Sequence, residues 1–341
     1  MLDRIEPETA DLSVRLLSRD VPMHSTEPVQ RSSALPPPGD PLPPWDGASL
    51  PAAPSPDRPP KRRAPRVRLT TGGWLGLSMV GLMLFIAVFA PLLAPHDVGA
   101  IVTPDVFAPF SAKLPFGSDF LGRDMVSRIL YGTRLTVLLA LAAVLLAALT
   151  GTTLGLLATV AGRAVDETMS RLLDALTSIP SKMFALMFVA AFGSSLPLLI
   201  LTAAVSYMPG SYRIARALAV NISTLEFVQV ARARGESALY IACVEMLPNM
   251  IHPMLADTGL RFTFVVLLLS GLSFLGLGVQ PPYADLGSLV RENIASLGDG
   301  SAVAIMPAVA IAILTVGVNL LIDGLPHRGR RNGAAGAAGE H

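Results

Sequence analysis

The reading of this chain turns on residues 222–249, Ile222-Ser-Thr-Leu-Glu-Phe-Val-Gln-Val-Ala-Arg-Ala-Arg-Gly-Glu-Ser-Ala-Leu-Tyr-Ile-Ala-Cys-Val-Glu-Met-Leu-Pro-Asn249. Ser223 followed three residues later by Glu226 has the spacing of a capping box, and Ile222 and Phe227 stand where a hydrophobic staple would close. Nothing breaks a helix from Thr224 to Arg234, and Gly235 supplies the left-handed residue that ends one. A second helix is expected from Glu236 or Ser237 to Leu247, with Pro248 stopping it. The stretch therefore predicts a helix, a glycine elbow and a helix. A charged elbow held between membrane spans is a handle for another protein. The plain alternative is a polar loop joining two spans, since capping signals mark helix starts of every kind.

The segments on either side are far more apolar. Over 341 residues the chain is 52% hydrophobic and 15% charged, with a mean hydropathy of +0.56, too apolar for a soluble protein of this size. One cysteine, Cys243, leaves no internal disulfide framework and no cysteine-based metal cluster; it reads as a small apolar filler. Residues 1–68 are a separate regime, holding 15 of the 29 prolines, and are expected to be a disordered cytoplasmic tail with polyproline character. The tail ends in Lys61-Arg62-Arg63 with Arg66 and Arg68. Arg62-Arg63 suggests a twin-arginine export signal, but the apolar run that follows has the length of a bilayer crossing and reads as a retained anchor.

Six spans follow, near Trp74–Ala94, Leu135–Ala161, Met169–Phe192, Leu196–Leu218, Ile251–Leu275 and Val303–Ile322. Each is close to the ~20 apolar residues that a helical crossing needs. The fold class is therefore an all-α integral membrane protein with six transmembrane helices over 69–325 and a short cytoplasmic tail over 326–341. Small residues such as Gly151, Gly155, Ala142 and Ala143 suit close helix packing in lipid. Alternate loops carry fourteen Lys and Arg against five, so the first set is assigned to the cytosol, together with both termini and the elbow.

The first external segment, His96–Thr133, contains Asp119, Gly122, Arg123 and Asp124 and is expected to fold as an outer cap. The second, Gly276–Gly300, carries Gln280-Pro281-Pro282 and a short helix; either loop can receive a partner or simply tuck into the bundle mouth. Within the spans, Lys182 and Arg261 are the candidate pathway residues, because ionisable groups at membrane depth are functional by default. Lys182 reads as lying near the cytosolic end, where it can snorkel. Asp174 and Asp323 are expected to serve helix ends or ion pairs.

The chain contains no G-x-x-x-x-G-K-[ST], H-E-x-x-H or G-x-S-x-G, and no span offers a Ser–His pair. That weighs against catalysis and against a membrane-embedded hydrolase. A self-sufficient secondary transporter or channel predicts inverted repeats and broken helices, and neither is evident in the sequence.

Glu226–Pro248 resembles the cytoplasmic coupling loop of ABC-importer permeases, with Gln229-Val230-Ala231 at its Glu-Ala-Ala triplet, then Gly235 and Leu247-Pro248. Residues 116–128 with Gly132-Thr133-Arg134, Leu272–Pro282, and Asn319 with Asp323-Gly324-Leu325 are similar to the C-type permease of the oligopeptide/dipeptide branch. The sequence departs from that pattern at Gln229, Val230, Arg234 and Glu245. The resemblance implies a multi-pass permease of the bacterial inner membrane. It implies pairing with a homologous second permease, two cytosolic ATPases that bind ATP and Mg, and an extracytoplasmic substrate-binding protein, with no cofactor or metal in this chain. It assigns ATPase coupling to Glu226, Gln229, Ala231, Arg232, Ala233, Gly235, Leu247 and Pro248. Gly122, Arg123, Asp124, Gln280, Pro281 and Pro282 would form the outer gate or the binding-protein seat. The cargo it implies is di- or oligopeptide, with nickel, haem or another small solute as the alternative.

Overall fold

A computed structural model describes residues 70–298 and 303–324. The expected tails, 1–68 and 326–341, lie outside the described residues, as does Leu325. The described chain is helical: α1 (Thr71–Leu93), α2 (Met125–Ala161), α3 (Arg163–Thr177), α4 (Ser181–Phe192), α5 (Leu196–Ser223), α6 (Glu226–Ala233), α7 (Ala238–Tyr240), α8 (Leu247–Phe274), α9 (Leu286–Glu292) and α10 (Ile305–Asp323). A π-turn over Ile241–Met246 joins α7 to α8.

Four segments are long and apolar enough to cross a membrane alone: α1, α2, α10, and the run Ala238–Phe274. Two bent pairs, α3 with α4 and α5 with α6, bring the number to six. In lipid the backbone must satisfy itself, and so must hydroxyls. Thr150, Thr153 and Thr159 of α2 accordingly donate to carbonyls one turn back, at 2.6, 2.8 and 2.9 Å. The most extensive helix contact is between α2 and α5. At Gly151 and Gly155 an added Cβ would stand 2.7 and 2.9 Å from Ser211 and Ala215 of α5, so these two glycines admit a backbone approach that no larger residue allows.

Two sequence expectations are corrected here. The third span is not one helix over 169–192: α3 and α4 meet at 79°. Pro180 has no N–H and forces Ile179 away from helical geometry. At the end of α3 the carbonyls of Asp174 and Ala175 accept from Thr177 Oγ1 at 3.0 Å and Ser178 Oγ at 2.7 Å as well as from Ser178 N. This break lies beside Pro209 and Gly210, halfway along α5. Lys182 opens α4 just past this break and shares an apolar groove with Leu267, Gly271 and Phe274 of α8.

The second correction concerns Pro248, which does not stop a helix. It occupies the first turn of α8, where its missing donor costs nothing, and the widened π-turn before it relieves the clash of its ring with the preceding turn.

Candidate functional site

The elbow lies at the C-terminal end of α2 and the N-terminal end of α8. Helix α6 departs from α5 at 73°. The expected capping box is absent. Ser223 still belongs to α5 and donates its Oγ to Val220 O at 2.8 Å, so the N-cap of α6 is Leu225, which makes no side-chain cap bond. Gln229 supplies the missing tie: its Nε2 donates to Ser223 O at 2.8 Å, stitching α6 to the last turn of α5. The Glu of the family triplet has no N–H with which to make this bond.

The far end of α6 closes as a Schellman motif, with Gly235 N donating to Arg232 O at 3.0 Å and Glu236 N to Ala231 O at 3.2 Å. Gly235 has φ +78°, as that motif requires, and an added Cβ would meet nothing within 4 Å. Only backbone strain therefore opposes substitution here. Ser237 then caps α7, accepting from Tyr240 N at 3.2 Å.

Val228 and Ala231 are fully buried, packed against Ala215 and Ala219 of α5, Ile241 and Ala242 of the π-turn, and Met246 and Met250. The opposite face is open. Phe227, Val230, Leu239, Tyr240 and Val244 are exposed, and Glu226, Arg232, Ala233 and Arg234 stand among them. Glu226, Arg232 and Arg234 form no ion pair among the described residues. Leu247 and Pro248 carry the elbow directly into α8.

The outer cap forms at the other end of α2. Gly122 (φ +77°) lets the chain pass so close to Thr103 that an added Cβ would sit 2.0 Å from its carbonyl oxygen. Arg123 is buried; its Nε donates to Asp119 Oδ2 at 2.6 Å and its guanidinium lies 5.2 Å over the Phe120 ring. Arg128, buried in the first turn of α2, pairs with Asp119 and with Glu292 Oε2, the latter at 2.8 Å. Burial pushes the Asp119 carboxyl upward, but hydrogen bonds from Arg123 N, the Arg128 guanidinium and Leu121 N outweigh it, and the net shift is downward.

Asp124 caps α2, accepting from Val126 N and Ser127 N, both at 3.2 Å, and lies 3.3 Å from His96 Nδ1. Glu292 ends α9, so the cluster joins both outer segments in one layer. Gln280, Pro281 and Pro282 are exposed on that layer, and Gln280 Nε2 ties back to Gly276 O at 3.1 Å and Gly278 O at 3.0 Å. The six residues named from sequence for the outer gate or binding-protein seat are thus divided: Gly122, Arg123 and Asp124 are interior supports, while Gln280, Pro281 and Pro282 are exposed.

The two ionisable residues within the spans separate as well. Arg261 lines a cavity of about 220 Å³ at the α3–α4 break and donates Nε to Asp257 at 2.7 Å. Lys182 lines a different groove. Asp174 pairs with Arg213 at 2.8 Å, as its expected ion-pair duty requires. Sequence reasoning missed Asp257, whose i,i+4 spacing to Arg261 was a readable signal. It also missed Arg128 and Glu292, and here a separation of more than 160 residues leaves no local signal.

A helical bundle with a structured layer at one end and a rigid, exposed elbow at the other defines a multi-pass membrane subunit built to work with other proteins. Residues 151–331 match the family described as binding-protein-dependent transport system inner membrane component, and the chain belongs to that family. Among curated relatives, the probable D,D-dipeptide transport system permease protein DdpC of Escherichia coli (strain K12) is 34% identical over 247 residues, covering 72% of this chain and 83% of the relative. The di/tripeptide transport system permease protein DppC of Pseudomonas aeruginosa (strain UCBPP-PA14) is 31% identical over 256 residues, 73% and 84% of the two chains. The glutathione transport system permease protein GsiD of Pectobacterium atrosepticum is 32% identical over 246 residues, 72% and 81%. The chain is thus a permease component of the inner membrane.

Proposed function

We propose that this chain is one of two homologous permease subunits enclosing a path along which short peptides move inward. Two cytosolic ATPases, holding ATP and Mg, supply the energy; an extracytoplasmic binding protein delivers the peptide to the outer layer near Gln280, Pro281 and Pro282. The peptide assignment is supported by the functions in the relatives' names, which are for D,D-dipeptide, di/tripeptide and glutathione transport. The distribution of Lys and Arg between alternate loops supports a cytosolic elbow and cytosolic termini.

The observation that carries the reading is the way the elbow is held. Its inner face is packed onto three neighbouring segments, and its outer face presents Arg232 and Arg234 with no ion-pair partner among the described residues. An ATPase seated on α6 pairs acidic groups with those arginines and pushes on Gln229, Ala233 and their neighbours. Since Ala231 and Gly235 lock α6 in place, the displacement passes into α5 and α8 instead of dissipating in a loop. The test is ATP hydrolysis stimulated by the liganded binding protein in the reconstituted assembly. Gly235→Val should abolish the stimulation, and Gly235→Asn, which tolerates positive φ, should retain it. Full stimulation with Gly235→Val would overturn the elbow's role. Uphill accumulation of peptide by this chain alone in liposomes would overturn the whole reading.

A further inference from the structure

The structure assigns a carboxylate subsite to the cavity at the α3–α4 break, with Arg261 as the group that holds the carboxylate. The inference rests on the permease reading and adds the chemical handle by which the path recognises a peptide terminus. The cavity is lined by Pro180, Ser181, Ser206, Tyr207, Gly210 and Arg261, with Arg213 at its edge. Its volume, about 220 Å³, takes several waters at roughly 30 Å³ each, or one peptide terminus in their place. It lies where the α3–α4 pair is interrupted at Pro180, against Pro209 and Gly210 in the middle of the continuous helix α5, and broken helices are where transporters place substrate sites.

Most polar groups around the cavity are already committed. Arg213 Nη2 donates to Asp174 at 2.8 Å and Thr177 at 2.7 Å, and the Tyr207 hydroxyl donates to Phe264 O at 3.1 Å. Arg261 is the exception. Its Nε is taken by Asp257, but neither Nη has a hydrogen-bond partner among the described residues, although the side chain is only 15% exposed. The Arg261 guanidinium thus has both Nη amino groups, four N–H donors, available to a solute that enters the cavity. Its planar fork fits a carboxylate, which accepts two parallel bonds.

The position is also prepared from the other side. A Cβ on Gly210 would stand 2.2 Å from Arg261 Nη1, so α5 carries its glycine where the guanidinium rests. Asp257 neutralises the arginine while the cavity holds no peptide, and it weakens the hold on an anion. That suits a site that solute must enter and then leave.

The test compares alanyl-alanine with its C-terminal amide. Each is supplied to the full reconstituted transporter at saturation of its binding protein, and uptake is expressed per ATP hydrolysed, so that delivery is separated from passage. The wild type should favour the free carboxylate by about tenfold or more, as loss of a charge-assisted bidentate contact implies. Arg261→Gln should bring that ratio close to one, and Arg261→Lys should restore it only in part. Gly210→Ala, which displaces the guanidinium without removing it, should also lower the ratio, and it carries the test if Arg261→Gln fails to assemble. A wild-type ratio near one, or an unchanged ratio in the variants, would overturn the subsite. Loss of assembly with the second permease in Arg261→Gln, together with an unchanged ratio in Gly210→Ala, would make Arg261 a subunit contact and overturn it too. Failure of the wild-type assembly to move any peptide would instead overturn the permease reading.

Discussion

At the elbow Glu226, Arg232 and Arg234 stand exposed with no ion pair among the described residues, whereas at the far end of α2 buried Asp119, Arg123 and Arg128 are folded into one cluster with the partly buried Glu292. The elbow is held by apolar packing, a glycine and backbone hydrogen bonds, so its charges do nothing to keep it folded. In the outer layer the charges are the structure, and they are consumed by one another. The difference separates two uses of arginine. A cation that already has its counterion fixes shape, and one left open on a stiff backbone is available to a partner.

The contrast can be attacked from its strongest point. Asp119→Asn should leave Arg123 and Arg128 with one counterion fewer in a buried site, at about 3–5 kcal/mol. The readout is the Tm of the purified protein, and a loss below about 1 kcal/mol would mean the cluster is not a structural keystone. Acid probes the same carboxylate. Its folded pKa lies below its unfolded value, so its contribution is complete above the unfolded pKa of about 4 and is lost as pH falls through the depressed folded value. The Tm should therefore drop on acidification below about pH 4, and Asp119→Asn should remove that component of the drop.

Gly122→Ala comes next, because it meets both the Thr103 carbonyl and an unfavourable φ; at least about 2 kcal/mol is expected from unfolding curves. Gln229→Glu removes one donated bond and sets a carboxylate against the Ser223 carbonyl, for about 1 kcal/mol, with loosening visible as faster hydrogen exchange in α6. The smallest stability effect belongs to Arg232→Ala, which should leave Tm unmoved while weakening co-purification with the ATPase. A lowered Tm there would erase the distinction between the two ends.

Much of this was legible because lipid imposes a simple rule. Runs of ~20 apolar residues gave α1 and α10 to within a few residues, and Gly235 was readable because a helix end needs a left-handed residue. Other features escaped for physical reasons. Pro180 interrupts the third span, which was expected to run through it, whereas Pro248, read as a stop, lies inside a continuing helix because a π-turn absorbs it. Ser223 and Glu226 have the spacing of a capping box, but Ser223 remains inside α5, where its hydroxyl bonds back to its own helix. The pair Arg128–Glu292 and the opening around Arg261 depend on which helices lie side by side, and periodicity within one segment carries no information on that.

The 37 residues of α2 run without a proline from the Asp124 cap to the elbow packing at Leu156 and Val160. At 1.5 Å per residue they make a rod of about 55 Å, and a tilt of ~10° about its middle carries each tip some 5 Å in opposite directions. One continuous lever thus joins the layer around Asp119 to the elbow, so a displacement at either end of the bundle is carried to the other by the same piece of backbone.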